Sequence, residues 1–465
     1  MELNKQTESL QQKQPKLSSY LYSNKNDTKL DKLRNECIHF NNLIYGMDDV
    51  CTLLNRYTNV DSSKQEKDSI EPIPKSMICN RSKLNEKKLV QYQNIAYESI
   101  TNGHMALMVM AGGMGSRLGF NKPKGVVDIG LPSKMSLFEL LSLKLVKLVN
   151  LAKNNQICEY GHISLLIMTS HKTHFETICH FENNHYFGLD KNYVHFFQQT
   201  SLPAISRNGE FVLMDQDSLK MIPNGNGGIL DLVHDNLFMT CIKNNNIKHF
   251  HVVGIDNLLS LPCDPAFMGY CIQNQFDAAT KATKKMDVNE KIGMFVLETR
   301  KVKVLEYSES INELNSMSGD ELVFNCGNIC NHYFSIKCFN TTYNLPYHVA
   351  IKRGNFFNVA KKENSLGEWL QLEKFIFDIF PFIEASKIGI WMVDRRDEFA
   401  PIKNGNDIKS DCPYTARNMM NILHRKWLNN AKAEIVTSKD IEIFPQVSYE
   451  GEGLEIYRNV KINDE

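Results

Sequence analysis

Gly112, Gly113 and Gly115 are followed closely by Arg117 and Lys124. Glycine has no Cβ, so its backbone N–H groups can approach a ligand closely and take up positive φ. A guanidinium and an ammonium beside such a turn suit a polyphosphate better than any neutral ligand. The two commoner glycine signatures do not fit. Gly113-Met114-Gly115 begins a dinucleotide fingerprint, but Leu118 stands where its third glycine belongs. The chain contains no G-x-x-x-x-G-K-[ST] string, so the turn is not a Walker loop.

Other stretches carry compatible chemistry. Asp256 closes the apolar run Val252-Val253-Gly254-Ile255. A lone Asp there is ordinarily a turn or cap residue. Beside a polyphosphate loop it suits a divalent cation, since Mg²⁺ commonly takes one or two carboxylates and fills its shell with phosphate oxygens and water. Pro223-Asn-Gly-Asn-Gly-Gly228 is a second glycine loop, either a plain turn or a cradle for sugar or phosphate. Glu306-Tyr307 and Phe324-Asn-Cys-Gly-Asn328 offer carboxylate, amide and aromatic groups of the kind that read sugar hydroxyls.

These residues need a frame. Met105 to Ala111 reads as a buried strand running into the glycine turn, and Ser136-Leu-Phe-Glu139 as a capping box. Leu137, Leu140, Leu141, Leu145 and Leu148 then recur at helical spacing. Further strands are expected at Ile163–Met168, Val194–Gln198, His249–Ile255, Ile292–Leu297 and Ile388–Val393, with a helical pattern through Ile229, Val233, Leu237 and Cys241. Strands alternating with helices predict an α/β fold with a mostly parallel central sheet, whose ligands bind at the carboxyl ends of strands. Met1 to about Asp31 reads as disordered or loosely attached, and 32–57 and 83–100 as helical. A helix is expected over Thr415–Asn430, and a small β-rich lobe near Gly451 and Gly453. The division expected is an N-terminal tail and helical region at 1–104, a catalytic domain at 105–402 and a C-terminal region at 403–465.

Composition sets limits. The chain has 465 residues, 42% hydrophobic and 23% charged, as in ordinary globular proteins. Lys+Arg and Asp+Glu both total 53, so no global field points to nucleic acid or membrane, and a phosphate site must be locally basic. The twelve cysteines include no C-x-x-C pair. Cys326 and Cys330 lack the neighbours of a zinc site, and buried free thiols are expected. With no signal-peptide core and no long apolar span, a cytoplasmic, reducing setting is the expectation.

Taken in order, the stretches resemble the eukaryotic UDP-N-acetylglucosamine pyrophosphorylases of the UDP-sugar pyrophosphorylase family. The matching segments are M-A-G-G-M-G-S-R-L-G with P-K-G, F-F-Q-Q-T-S-L-P-A, P-N-G-N-G-G, G-I-D-N, E-Y-S-E, F-N-C-G-N-I, E-K-F-I-F-D-I-F, E-F-A-P-I-K-N and V-S-Y-E-G-E-G-L-E. They run from about Glu71 to Glu455.

The resemblance implies a Rossmann-like nucleotidyltransferase core with a helical N-terminal region and a small C-terminal lobe. It implies UTP and N-acetylglucosamine 1-phosphate as substrates, and Mg²⁺, with Mn²⁺ as a substitute, as cofactor. Met110, Ala111, Gly112 and Gly113 would lie along the nucleotide, with Gln199 and Gly225 reading uracil and ribose. Arg117 and Lys124 would meet the phosphates as catalytic cations, and Asp256 would hold the metal. Asn226, Glu306, Tyr307 and Asn328 would contact the sugar, Gly293, Phe375 and Phe377 would shape an acetamido pocket, and Lys403 would reach the sugar phosphate. Rival readings are the same chemistry on glucose or N-acetylgalactosamine 1-phosphate, and a nucleotide-sugar binding protein without turnover. The family pattern places Gly-x-Lys where Trp369-Leu370-Gln371 stands here. Either a phosphate contact is weakened, or Lys374 replaces it from across one helical turn. Many relatives also continue through a longer C-terminal lobe beyond Gly-Glu-Gly.

Overall fold

The computed structural model describes residues 2–23, 28–58, 69–307, 312–319 and 321–463. By contacts the chain forms two units. The larger takes Asp68–Gln198, Leu232–Tyr343 and Ile379–Glu465; the smaller takes Met1–Lys67, Gln199–Asp231 and Asn344–Asp378. This division cuts across the linear one read from the sequence, because the chain leaves the larger unit twice and returns to it.

The larger unit is built on an 11-stranded sheet. Its strands are β1 (Ile70–Pro72), β2 (Ile78–Asn80), β3 (Met105–Met110), β4 (Ser164–Thr169), β5 (Val194–Gln198), β6 (His249–Gly254), β7 (Ala278–Lys284), β8 (Met294–Glu298), β9 (Lys301–Leu305), β10 (Cys326–Ser335) and β11 (Ile388–Val393). The main path runs β2-β11-β7-β10-β6-β3-β4-β5. Neighbours on it are parallel except where β10 lies antiparallel to β6 and β7. β8, joined to β1 and β9, makes an antiparallel side ladder against β10.

β3 and β4 are continuous apolar runs buried on both faces, as interior parallel strands require. Each strand expected from the sequence is present within a residue or two. β7 was not expected: A-A-T-K-A-T-K offers no apolar run, yet Thr280 and Lys281 are fully buried. Ser136 caps the helix Leu137–Gln156, its hydroxyl accepting from the Glu139 N–H at 3.1 Å. The helical pattern from Ile229 is interrupted: Asp235 caps a separate helix, Asn236–Asn244.

The smaller unit corrects the reading of the N-terminus. Helices Glu2–Lys13 and Pro15–Ser23 replace the expected loose tail, while Thr28–Tyr45 and Asp48–Thr58 supply the helices expected over 32–57. Leu10, Leu17, Leu21, Leu33, Ile44 and Leu54 bury against Leu202, Ile205, Phe211, Leu213 and Leu370. The Gln- and Lys-rich composition hid these widely spaced leucines. A hairpin, His348–Asn358 with Glu363–Glu373, pairs over its whole length, and Ile205 and Leu370 exchange backbone hydrogen bonds with each other. The expected β-rich C-terminal lobe is also corrected. Past the helix Pro413–Asn430, the only strands among the described residues are the two-residue pair Glu434–Ile435 with Lys461–Ile462.

β7 carries an ion cluster into the core. The Lys281 ammonium donates to Asp264 Oδ2 at 2.5 Å and to Glu398 Oε2, and all three side chains are at most 3% exposed. Burial raises the pKa of Glu398 against the pull of Lys281, while Asp264 is held below its usual value by Lys281 and Arg81 against the same burial. Lys281→Met would leave two buried carboxylates without the ammonium that bridges them. It should cost about 3–5 kcal/mol in denaturant unfolding, and an unchanged midpoint would show that the cluster is not a stabilising unit.

Candidate active site

Met110 and Gly254 are paired neighbours at the carboxyl ends of parallel strands β3 and β6. The chain beyond each therefore emerges side by side. After β3, Ala111 is anchored through its N–H to Met168 O at 2.8 Å. The loop then folds on itself: the Lys124 N–H donates to Gly113 O at 3.0 Å, and the Gly115 N–H to Lys122 O at 2.8 Å. Gly119, at φ +84°, turns the chain in a conformation that glycine adopts without strain. Gly113 differs. It has no positive φ, and no atom lies within 4 Å of where its Cβ would stand. The fold does not require glycine there, and the open space leaves room for the close approach of a ligand. Arg117 is exposed beside this loop.

Lys124 reaches across to the loop after β6. Its Nζ lies 3.3 Å from Asp256 Oδ2 and 3.2 Å from Ile402 O. The Ile402 N–H in turn donates to Asp256 O at 2.8 Å. Lys403, the next residue, is exposed, with its N–H held by Asp411 O at 2.7 Å. With side chains 16% and 35% exposed, the Lys124–Asp256 pair is of the partly solvated kind, worth about 1 kcal/mol or less. Ligands can exchange it cheaply. Asp256 fits a divalent ion of the Mg²⁺ type, which needs one or two protein carboxylates. Among the described residues no group of three or more His, Cys, Asp or Glu forms an all-protein cage.

Three supports of Asp256 escaped the sequence reading. Gly254 lacks a Cβ where one would lie 2.8 Å from Asp256 Oδ1. The Asn257 amide bridges to the segment before Ile402, donating to Glu398 O at 2.8 Å and accepting from the Ala400 N–H at 2.8 Å. Lys144 donates to Ser260 O at 3.0 Å and Leu258 O at 3.4 Å, and burial pushes its ammonium down to about 8. The G-I-D-N and E-F-A-P strings held the first two as unassigned neighbours.

Gly293, Glu306 and Asn328 also come together in the larger unit. A Cβ on Gly293 would lie 2.8 Å from Glu306 Oε1, and Gly293 O accepts from the Asn328 N–H at 2.8 Å. Asn328 Oδ1 accepts from the Cys330 N–H at 2.9 Å at a β-bulge. Tyr307 is 55% exposed; the last two residues of E-Y-S-E lie outside the described residues.

The remaining predicted residues belong to the smaller unit. Gly225, at φ +78°, would place a Cβ 2.4 Å from Lys374 O, so glycine is obligatory. Asn226 Oδ1 accepts from the Ile376 N–H at 3.0 Å. Gln199 packs against Gly228. Phe375 and Phe377 stack with centroids 5.0 Å apart, and His348 lies 4.6 Å from Phe375. Gln371 donates to Glu373 Oε1 at 2.6 Å from within a strand, so the helical turn expected between Gln371 and Lys374 is absent.

Sheet order, glycine loop and Lys124–Asp256 pairing define a nucleotidyltransferase-type site, and residues 47–456 match the family model described as UTP--glucose-1-phosphate uridylyltransferase. The chain belongs to that family. It is 36% identical over 418 residues to the UDP-N-acetylglucosamine pyrophosphorylase of Saccharomyces cerevisiae, covering 87% of this chain and 86% of that one. It is 32% identical over 406 residues to UDP-N-acetylglucosamine diphosphorylase 2 of Arabidopsis thaliana, covering 83% and 79%. The solved structure of the uridine diphosphate N-acetylglucosamine pyrophosphorylase of Trypanosoma brucei, in complex with an inhibitor, superposes with a TM-score of 0.78 at 25% identity, covering 98% and 97%.

The open surroundings of Gly113 generate a test. Gly113→Ala should leave the melting temperature within about a degree, a surface change of under 0.5 kcal/mol. It should raise KM for the nucleotide about tenfold, the effect of losing roughly 1.4 kcal/mol of binding. A large drop in melting temperature with normal KM would return Gly113 to a structural role.

Proposed function

We propose that this protein forms UDP-N-acetylglucosamine and pyrophosphate from UTP and N-acetylglucosamine 1-phosphate. The observation that carries the proposal is the Lys124–Asp256 pair set beside a glycine loop whose openness the fold does not need. The activities named for the relatives support the choice of substrates.

In this reading a phosphate oxygen of the sugar 1-phosphate attacks the α-phosphorus of UTP, forming one P–O bond as the bond to the departing pyrophosphate breaks. The nucleophile is already anionic, so no side chain has to remove a proton. Catalysis rests on alignment and on neutralising charge that grows at the α- and β-phosphates. Lys124 leaves Asp256 for a phosphate oxygen, Arg117 adds a second cation, and Lys403 meets the sugar phosphate. Asp256 would hold Mg²⁺, or Mn²⁺, which when bound supplies a Lewis acid to phosphate oxygens. Gln199 and Gly225 take the uridine. Glu306, Tyr307, Asn226 and Asn328 read the sugar, with Gly293, Phe375 and Phe377 around the acetamido group. A cytosolic setting belongs to the same reading, supported by buried free thiols such as Cys263, Cys271 and Cys326. Among the described residues no helix is long and apolar enough to cross a membrane.

Pyrophosphate release from UTP with a panel of sugar 1-phosphates tests the proposal. N-acetylglucosamine 1-phosphate should exceed glucose 1-phosphate at least about tenfold in kcat/KM, since the hydroxyl analogue leaves an amide-binding group unpaired. Equal use of glucose would overturn the sugar assignment. UTP binding without pyrophosphate release would favour the binding-protein reading.

The metal assignment is tested separately. Chelation should abolish turnover and Mg²⁺ restore it. Asp256→Asn should raise the Mg²⁺ needed for half-maximal rate by about tenfold or more, because a neutral amide binds a hard cation poorly. An unchanged Mg²⁺ requirement in that variant would remove Asp256 as the ligand.

A further inference from the structure

Lys374 follows directly on the hairpin strand that ends at Glu373, and its backbone grips the second glycine loop. Its carbonyl accepts from the Gly227 N–H at 2.9 Å, and its N–H donates to Asn224 O at 3.0 Å. The approach is so close that a Cβ on Gly227 would lie 2.8 Å from Lys374 C. The side chain turns to the short helix Gly228–Asp231 that the loop leads into: Nζ lies 3.0 Å from Asp231 Oδ1 and 3.3 Å from Oδ2. Asp231 Oδ2 also accepts from Asn224 Nδ2 at 3.1 Å. Asn224 is 2% exposed and begins the glycine run. Lys374 therefore holds the loop through its backbone and the helix that follows it through its ammonium. The Tyr347 ring, 5.1 Å from Nζ, covers that ammonium.

We infer that Lys374 and Asp231 form a positioning pair that fixes the Asn224–Gly228 loop for its ligand, so that Lys374 acts through Asp231 and not as a phosphate contact. This rests on the uridylyltransferase reading, in which Gly225 and Asn226 belong to the substrate site. Three observations favour positioning over phosphate contact. Both Asp231 oxygens are within reach of the ammonium, so leaving for a phosphate would uncover a carboxylate only 19% exposed. The loop's other tie to this segment, the Ile376 N–H on Asn226 Oδ1 at 3.0 Å, has the same geometry of backbone against loop. The residue that stands where the family pattern has its lysine, Gln371, is itself tied to Glu373.

The test uses the full chain in five forms: wild type, Lys374→Met, Lys374→Arg, Asp231→Asn, and the exchanged pair Lys374→Asp with Asp231→Lys. Lys374 lines a cavity of about 550 Å³ with Leu53, Pro346 and Tyr347, so truncation leaves space and not a clash. Thermal melts confirm folding of each form. Turnover and calorimetric titration with UDP-N-acetylglucosamine are then measured.

Lys374→Met and Asp231→Asn should each raise KM and Kd about tenfold with little change in kcat. Lys374→Arg should stay near wild type, and the exchanged pair should recover to within about threefold. If Lys374 instead touched phosphate, Asp231→Asn would free the cation and preserve or tighten binding, and the exchanged pair would be as poor as Lys374→Met; that pattern overturns the inference. Normal KM and Kd in every single variant would overturn it too. A wild type that binds UDP-N-acetylglucosamine without turnover would count against the uridylyltransferase reading alone, and the Kd series would still decide the pair.

Discussion

An ammonium sealed between two carboxylates underlies the catalytic face of the larger unit. Lys281 sits on a strand, Asp264 caps the helix Pro265–Gln273, and Glu398 ends the short helix Arg395–Glu398. Three elements distant in sequence are thus tied at one point without solvent. Removing any member leaves charge that water cannot reach, so the arrangement is held by what its loss would cost more than by net attraction. Glu398 is also where the chain turns toward Ala400 and Ile402, the segment that receives Asn257, Asp256 and Lys124. The position of an exposed carboxylate is therefore set from the core outward, through backbone hydrogen bonds.

That hierarchy explains why the site charges can remain loosely paired. Lys124 and Asp256 meet at 3.3 Å, with the carboxylate a third exposed. A tight, buried pair would have to be broken for each to receive a ligand. A weak pair keeps both charges in the site at little energetic cost. The rigidity lies one layer below: Asn257, Ile402 and Lys144 fix the backbone while the side chains stay exchangeable. Such separation of a fixed frame from movable charge suits electrostatic stabilisation of a phosphoryl transition state.

The sequence made the frame legible where strands are buried on both faces, since M-A-L-M-V-M admits few other structures. The glycine loop was legible because its excluded alternatives differ at single positions, such as Leu118. β7 was not, because its buried Lys281 and Thr280 are satisfied by partners that only the fold supplies: Asp264, Glu398 and His332. Nor were the first two helices, Glu2–Lys13 and Pro15–Ser23, whose buried leucines are spaced among glutamines and lysines and acquire a core only from segments near 202–219 and 357–372. Asp231 carried no local signal at all. Its meaning appears only when a lysine from beyond position 370 arrives beside it.

The glycines separate into two physical kinds, and the distinction bears on function. Gly225 is required by the protein itself, since a backbone carbonyl occupies the space a Cβ would need, while at Gly254 and Gly293 a Cβ would push aside the ends of the Asp256 and Glu306 carboxylates. At these positions glycine serves the assembly of the site, and a side chain would displace neighbouring groups before any ligand arrived. Gly113 meets nothing. Space that the fold neither fills nor needs leaves room for the close approach of a ligand, the role that the proposed function gives Gly113. Gly225 therefore answers to the fold, and Gly113 to the proposed function.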